Sequence, residues 1–148
     1  DGLLKAVSHT SQTRFILRTE KEYGDFIVQA DFKMGEGTVD SGIFVRSEAQ
    51  QIQIGESGSL KRDMTASPYI PGKGYPVEAE GVQDLLDKDG WNTLKVRAQG
   101  AKLTAWLNGE EVMNYTVEEA PEKGSIGLQL HPNRDMDIEF RNIMVEEI

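Results

Sequence analysis

Apolar and polar residues alternate one by one along much of this chain. From Phe26 to Met34 the even positions are Phe, Val, Ala, Phe and Met, with Gln29, Asp31 and Lys33 between them. A period of two sorts side chains onto the two faces of a strand, whereas helical spacing would scatter the same residues around a circumference. Leu94, Val96 and Ala98 alternate with Lys95, Arg97 and Gln99, and Leu103, Ala105 and Leu107 with Lys102, Thr104 and Asn108. Asn108-Gly109 follows at once. Both central residues of a type I′ turn take positive φ, which Asn and Gly tolerate, so a hairpin returning over residues 111–115 is predicted. Further strands are predicted over residues 3–7, 15–19, 42–46, 51–54, 126–131 and 138–145. In the last, Ile138 and Phe140 keep one phase and Ile143 and Val145 the other, which an extra residue near Arg141-Asn142 explains as a β-bulge. Helix is predicted only over residues 82–86. Many short strands between Gly and Asn turns predict an all-β domain over residues 1–148, a sandwich or jelly roll.

Residues 55–90 break the pattern. They hold Gly55, Gly58, Pro68, Pro71, Gly72, Gly74, Pro76 and Gly81 without a sustained period. Structureless loops beyond about 12–15 residues are uncommon in compact domains and are usually functional or disordered. Tyr69, Ile70, Tyr75 and Val77 supply apolar anchors, so a packed loop lying over one sheet is expected.

Composition narrows the partners. Twenty-five acidic against 16 basic residues give a net charge of −9 and a pI near 4.7. No run of Lys and Arg builds a face against phosphates, which excludes a nucleic-acid footprint and disfavours an anionic membrane surface. No stretch approaches the roughly 20 apolar residues of a membrane helix, so no membrane insertion is expected. A neutral partner such as a sugar suits the charge. The absence of cysteine removes disulfides, thiolate catalysis and Cys-ligated metal centres. The abrupt start at Asp1-Gly2-Leu3-Leu4 suggests a processed or trimmed piece. Nothing in these patterns encodes an oligomeric state.

Chemistry-bearing residues gather on the polar faces of strands beside the loop. In 42–46, Ile43 and Val45 share one face, Phe44 and Arg46 the other. Gln51 and Gln53 face away from Ile52 and Ile54, and Gln129 and His131 do the same on their strand. Amides, a guanidinium, an imidazole and a ring are what sugar recognition uses: planar hydrogen-bonders for hydroxyls and a ring against C–H faces. A plain solvated outer face would carry the same alternation. His131 suits a general base at neutral pH, or equally a hydrogen-bonded residue at a strand end. His9, in the polar stretch 9–13, is expected at the surface. Two distant histidines make a poor transition-metal signature. Asp135 and Asp137 with backbone carbonyls could take calcium, but no EF-hand spacing exists, so a divalent cation lacks support and the cofactor stays open. Glycosidases usually pair carboxylates about 5–9 Å apart. Glu48 and Glu56 flank 51–54 and Glu139 alternates with Phe140, but no pair stands out among so many acids. Gly35-Glu36-Gly37 and Gly55-Glu56-Ser57-Gly58 match no phosphate loop.

Six motifs occur in order: Lys21-Glu22-Tyr23-Gly24-Asp25-Phe26, Ser41-Gly42-Ile43-Phe44-Val45-Arg46, Gly90-Trp91-Asn92-Thr93, Trp106-Leu107-Asn108-Gly109, Gly127-Leu128-Gln129-Leu130-His131 and Glu139-Phe140-Arg141-Asn142-Ile143. Together they resemble the 3-keto-disaccharide hydrolase domain family over nearly the whole chain. Members usually carry a leading segment ending in Gly-Trp that this chain lacks, so one edge strand is expected to be missing or supplied elsewhere. The resemblance implies a concanavalin A-like jelly roll of two curved antiparallel sheets. It also implies hydrolysis of glycosides oxidised at C3, often by extracytoplasmic bacterial proteins, through elimination and then hydration. That route needs a base near C2, an acid near the leaving oxygen and a group polarising the ketone. Many relatives read Glu-Val-Gln-Ile where this chain has Gln51-Ile52-Gln53-Ile54, and a carboxamide cannot act as a base. The expected site lies on the concave sheet under the 55–90 loop. His131, Glu56 and Arg46 are the catalytic candidates, Arg46 on the ketone and His131 or Glu56 moving the proton. Phe44, Gln51, Gln53, Lys61, Tyr75 and Gln129 are the substrate-binding candidates; Arg46, Gln53 and His131 match family positions. A non-catalytic carbohydrate-binding module or a protein-interaction domain would use the same surface.

Overall fold

Phe26, Val28, Ala30 and Phe32 occupy alternate positions and are each at most 1% exposed. Burying one such large apolar side chain contributes roughly 1.5–3 kcal/mol, so the alternation decides which face of each strand turns inward. The computed structural model describes residues 2–8 and 15–148. Among them the strands are β1 (Leu3–Ser8), β2 (Phe15–Arg18), β3 (Phe26–Gly37), β4 (Asp40–Gly55), β5 (Pro68–Tyr69), β6 (Trp91–Gln99), β7 (Lys102–Leu107), β8 (Glu110–Thr116), β9 (Ser125–Leu130) and β10 (Met136–Glu147), with one short helix, α1 (Val82–Leu85).

They form two antiparallel sheets, ordered β1-β10-β3-β6-β7-β8 and β2-β9-β4-β5. The six-stranded sheet contributes Phe26, Phe32, Leu94, Leu103, Ile138 and Phe140 to the core, and the smaller sheet contributes Ile43, Val45, Ile52, Ile54 and Ile126. This is the concanavalin A-like jelly-roll sandwich that the alternation and the resemblance implied. The hairpin expected at Asn108-Gly109 is present, with φ of 50° and 88°. In β10 the register against β3 slips between Arg141↔Asp31 and Met144↔Gln29, and Asn142 takes φ 52°. Two residues there oppose one, as a bulge requires.

β4 doubles back on itself. Its first arm pairs with β9 from Ser41↔Leu130 to Arg46↔Ser125, its second arm pairs with β5 through Gln51↔Tyr69, and Glu56 N donates to Val39 O at 2.7 Å. The two strands expected over 42–46 and 51–54 are these arms. The chain after them is packed: Met64 and Ala66 are 2% and 0% exposed. Met64 N donates to Gly55 O and Ala66 N to Gln53 O, which stitches this segment along the second arm. Ile70, Val77 and Leu86 then pack against the core. Part of the long loop therefore extends the small sheet, Ser57, Tyr69, Pro71 and Tyr75 rim its outer face, and the segment after Val77 packs on the core.

Candidate functional site

Asp40, Gly42 and Phe44 share the outer face of β4's first arm, and Gln51 and Gln53 share that of the second. A groove of about 660 Å³ lies over them, closed on one side by Tyr69, Pro71 and Tyr75 from the loop and on the other by His131 and Arg134 after β9. Glu48, ion-paired with Arg18, lines one end.

The floor is a chain of buried amides. Gln51 Nε2 donates to Gln129 Oε1 at 2.7 Å, to Gln53 Oε1 at 3.0 Å and to the Ser41 carbonyl at 3.3 Å. Gln53 Nε2 donates onward to Asp40 Oδ1 at 2.9 Å and to the Glu56 carbonyl at 3.2 Å. Gln51, Gln53 and Gln129 are 7%, 2% and 5% exposed, and amides so deeply buried hold their orientation through their partners. Gly42 makes the arrangement feasible. A Cβ there would lie 2.5 Å from Gln51 Nε2 and 2.7 Å from the Ile52 carbonyl oxygen. Bare backbone at position 42 lets the Gln51 side chain cross its own strand pair to reach Gln129.

Asp40 ends this chain. The residue is 3% exposed, its Oδ1 is taken by Gln53, and its Oδ2 has no hydrogen-bond donor among the described residues. Arg134 Nη2 stands 3.5 Å from Oδ2 and His131 Nδ1 3.9 Å. His131 Nδ1 is 2.8 Å from the Pro132 carbonyl, which can only accept, so Nδ1 carries the hydrogen and Nε2 is the basic nitrogen of the neutral ring. On the opposite wall the Tyr69 and Tyr75 rings meet edge to face at 5.2 Å. Burial pushes the Tyr75 phenol above its ordinary value; a hydrogen bond with Ser57 opposes this and the Asp40 charge adds to it.

Six of the nine expected side chains thus line one groove: Phe44, Gln51, Gln53, Tyr75, Gln129 and His131. Arg46 does not. Its backbone turns left-handed, with φ 62°, and the side chain leaves the groove face for the end of the sandwich. There Nε donates to Gly24 O at 2.7 Å, Nη1 to Gly100 O at 2.6 Å, and Nη2 pairs with Asp25 at 3.0 Å. Burial lowers its guanidinium pKa, against the pull of Asp25. The alternation that placed Arg46 beside Phe44 ends one residue earlier. Glu56 and Lys61 are corrected likewise. Glu56 gives its carbonyl to Gln53, but its side chain faces a separate depression with Asp63 and Lys88. Lys61 sits exposed, at φ 54°, in a turn outside the groove lining. His9 lies outside the described residues.

Asp40 and Arg134 were not singled out from the sequence, and Tyr69 was read only as an anchor of the loop. The signal for Asp40 was present, because the period of two that places Gly42 and Phe44 on one face extends back to it. Arg134 lies in an irregular segment that no periodicity orients. Among the described residues no three His, Asp or Glu side chains gather as metal ligands, and no helix is long and apolar enough to cross a membrane.

The model of the 3-keto-alpha-glucoside-1,2-lyase-like domain matches residues 1–146. No curated protein sequence matches the chain. Among solved structures it is similar to a Parabacteroides distasonis protein provisionally assigned as a glycosyl hydrolase, with TM-score 0.72 and 23% identity over 100% of this chain and 88% of that one. It is similar to the carbohydrate-binding module CBM66 of Bacillus subtilis, with TM-score 0.60 and 15% identity over 99% and 96% of the two chains. It is also similar to the Caenorhabditis elegans galectin LEC-6, with TM-score 0.56 and 10% identity over 97% and 96%. At these identities the likeness is one of fold.

Proposed function

We propose, from the premise that this chain belongs to the 3-keto-alpha-glucoside-1,2-lyase-like family, that its groove binds a carbohydrate and cleaves glycosides whose sugar ring is oxidised at C3. The observation that carries this reading is the floor of oriented, buried amides beside an aromatic wall. Fixed donors and acceptors suit sugar hydroxyls, and rings suit the C–H faces between them. A ketone at C3 acidifies the C2 hydrogen, so the bond from C1 to the leaving oxygen can break by elimination, and water can then add across C1 and C2. Gln51, Gln53 and Gln129 orient hydroxyls. Arg134, rather than Arg46, is the cation able to face a developing enolate oxygen. His131, at 42% side-chain exposure, stands where a leaving oxygen meets solvent, and its Nε2 is free of the Pro132 contact.

The alternative reading is a non-catalytic carbohydrate-binding module. Gln51 favours it, because an amide stands where many members of the family it resembles carry a carboxylate. Proton NMR of the protein with a 3-keto-glycoside separates the two. Release of the aglycone at a rate proportional to protein supports cleavage; calorimetric binding with no release supports the module.

A further inference from the structure

We propose that Asp40 is the proton acceptor of this groove, taking the hydrogen from C2 through its Oδ2; this rests on the cleavage reading above. Carboxylates buried as deeply as Asp40 normally have both oxygens hydrogen-bonded, because an unmet charged acceptor in a low-dielectric site costs several kcal/mol. Here one oxygen is hydrogen-bonded, while the other, itself buried, accepts no hydrogen bond and has only the Arg134 guanidinium at 3.5 Å and the His131 ring at 3.9 Å beside it. Gln53 fixes the carboxylate by Oδ1 at 2.9 Å, which leaves Oδ2 facing Arg134 and His131 at the wall of the groove. The wall opposite is Gly58, where a Cβ would stand 3.4 Å from Oδ2 and 3.0 Å from Arg134 Nη2. A side chain at position 58 would crowd both this oxygen and the Arg134 guanidinium beside it.

The two reacting carbons are adjacent in an elimination, so its base and acid must stand a few ångströms apart. Asp40 Oδ2 stands 3.9 Å from Nδ1 of the His131 ring, whose other nitrogen, Nε2, is the acid. Depth assigns the roles: Asp40 is 4% exposed at its side chain and His131 42%. Asp40 Oδ2 takes the C2 proton, and the C–H electron pair forms the C1–C2 double bond conjugated with the ketone. The C1–O bond breaks, and the leaving oxygen takes a proton from imidazolium Nε2 of His131. Neutral His131 then takes a proton from water, the hydroxide adds to C1, and Asp40 returns its proton to C2. Both groups end as they began, and the sum is glycoside plus water to 3-keto sugar plus alcohol. Gln51 needs no carboxylate in this scheme. It holds Gln53, which holds Asp40.

Asp40→Asn keeps the acceptor for Gln53 and removes the base. Cleavage is followed together with exchange of the C2 hydrogen in heavy water, which reports proton abstraction separately from bond breaking. General-base removal typically costs 10²–10⁴-fold. The variant is therefore expected to bind the 3-keto-glycoside as the wild type does, while cleavage and exchange both fall by at least about 100-fold. Wild-type exchange in folded Asp40→Asn overturns the assignment and leaves the cleavage reading standing. A wild-type protein that binds but neither exchanges nor cleaves overturns both. Should Asp40→Asn not fold, Gly58→Val tests the same oxygen by crowding it and the Arg134 guanidinium. Slowed exchange is expected, and unchanged exchange counts against Asp40.

Discussion

Replacing Gln51 by Glu exchanges one nitrogen for one oxygen, yet the structure makes it a severe change. Gln51 Nε2 donates to three oxygens, those of Gln129, Gln53 and the Ser41 carbonyl, at 2.7, 3.0 and 3.3 Å. The Ser41 carbonyl is backbone and cannot turn away. Gln129 and Gln53 could rotate their amides, but a rotated Gln53 would point its oxygen at Asp40 Oδ1 and lose the 2.9 Å bond that holds that carboxylate. Two or more neutral hydrogen bonds at roughly 0.5–1.5 kcal/mol each are lost, and a charge is placed at a site 7% exposed. The expected loss of stability is about 2–5 kcal/mol near neutral pH. Burial and surrounding acceptors disfavour the ionised form, so the new carboxyl's folded pKa lies above its unfolded value. A raised pKa makes the variant least disadvantaged below about pH 4.3 and progressively worse as pH rises. Urea unfolding of variant and wild type at about pH 5 and about pH 7 reads both effects. A difference within about 0.5 kcal/mol at both pH values would refute the amide network as described.

Arg46→Met should lower stability by about 3–5 kcal/mol, because Asp25 and several carbonyls lose a buried partner. Its turnover per folded molecule in urea-free buffer should match the wild type; a selective loss of kcat would return Arg46 to the groove. Gly42→Ala should cost about 1–3 kcal/mol and weaken sugar binding, since the added carbon meets the Gln51 amide and the Ile52 carbonyl. Calorimetric affinity equal to wild type would contradict that. The raised Tyr75 phenol favours the folded state below its unfolded pKa of about 10, and this contribution is lost as pH climbs through the higher folded value. Tyr75→Phe should therefore lose less stability than the wild type on moving into alkali, as followed by thermal unfolding.

Much of the fold was legible because strand alternation is set by burial alone. Phe26 to Phe32 and Leu94 to Ala98 turn inward wherever two sheets must share a core, and Asn108-Gly109 names its own turn. The floor of the groove was legible for the same reason: Phe44, Gln51, Gln53 and Gln129 sit opposite buried neighbours in regular strands. Reading failed where regularity stops. Arg46 is the last residue of a ladder and leaves it by a positive φ that its residue type does not announce. Glu56 and Lys61 follow the end of β4, where turn geometry rather than period sets direction. Asp40 was lost by starting a strand two residues late.

The central claim is that the amide-floored groove on the small sheet is where sugar binds. Amide resonances of the labelled protein, titrated with a 3-keto-glycoside, test it most directly. The account predicts shifts concentrated at Asp40, Gln51, Gln53, Gln129, His131 and Arg134. Shifts centred instead on Trp91 and Trp106, which sit beside Arg141 and Lys95 on the larger sheet, would contradict it, as would the absence of any shift at saturating sugar.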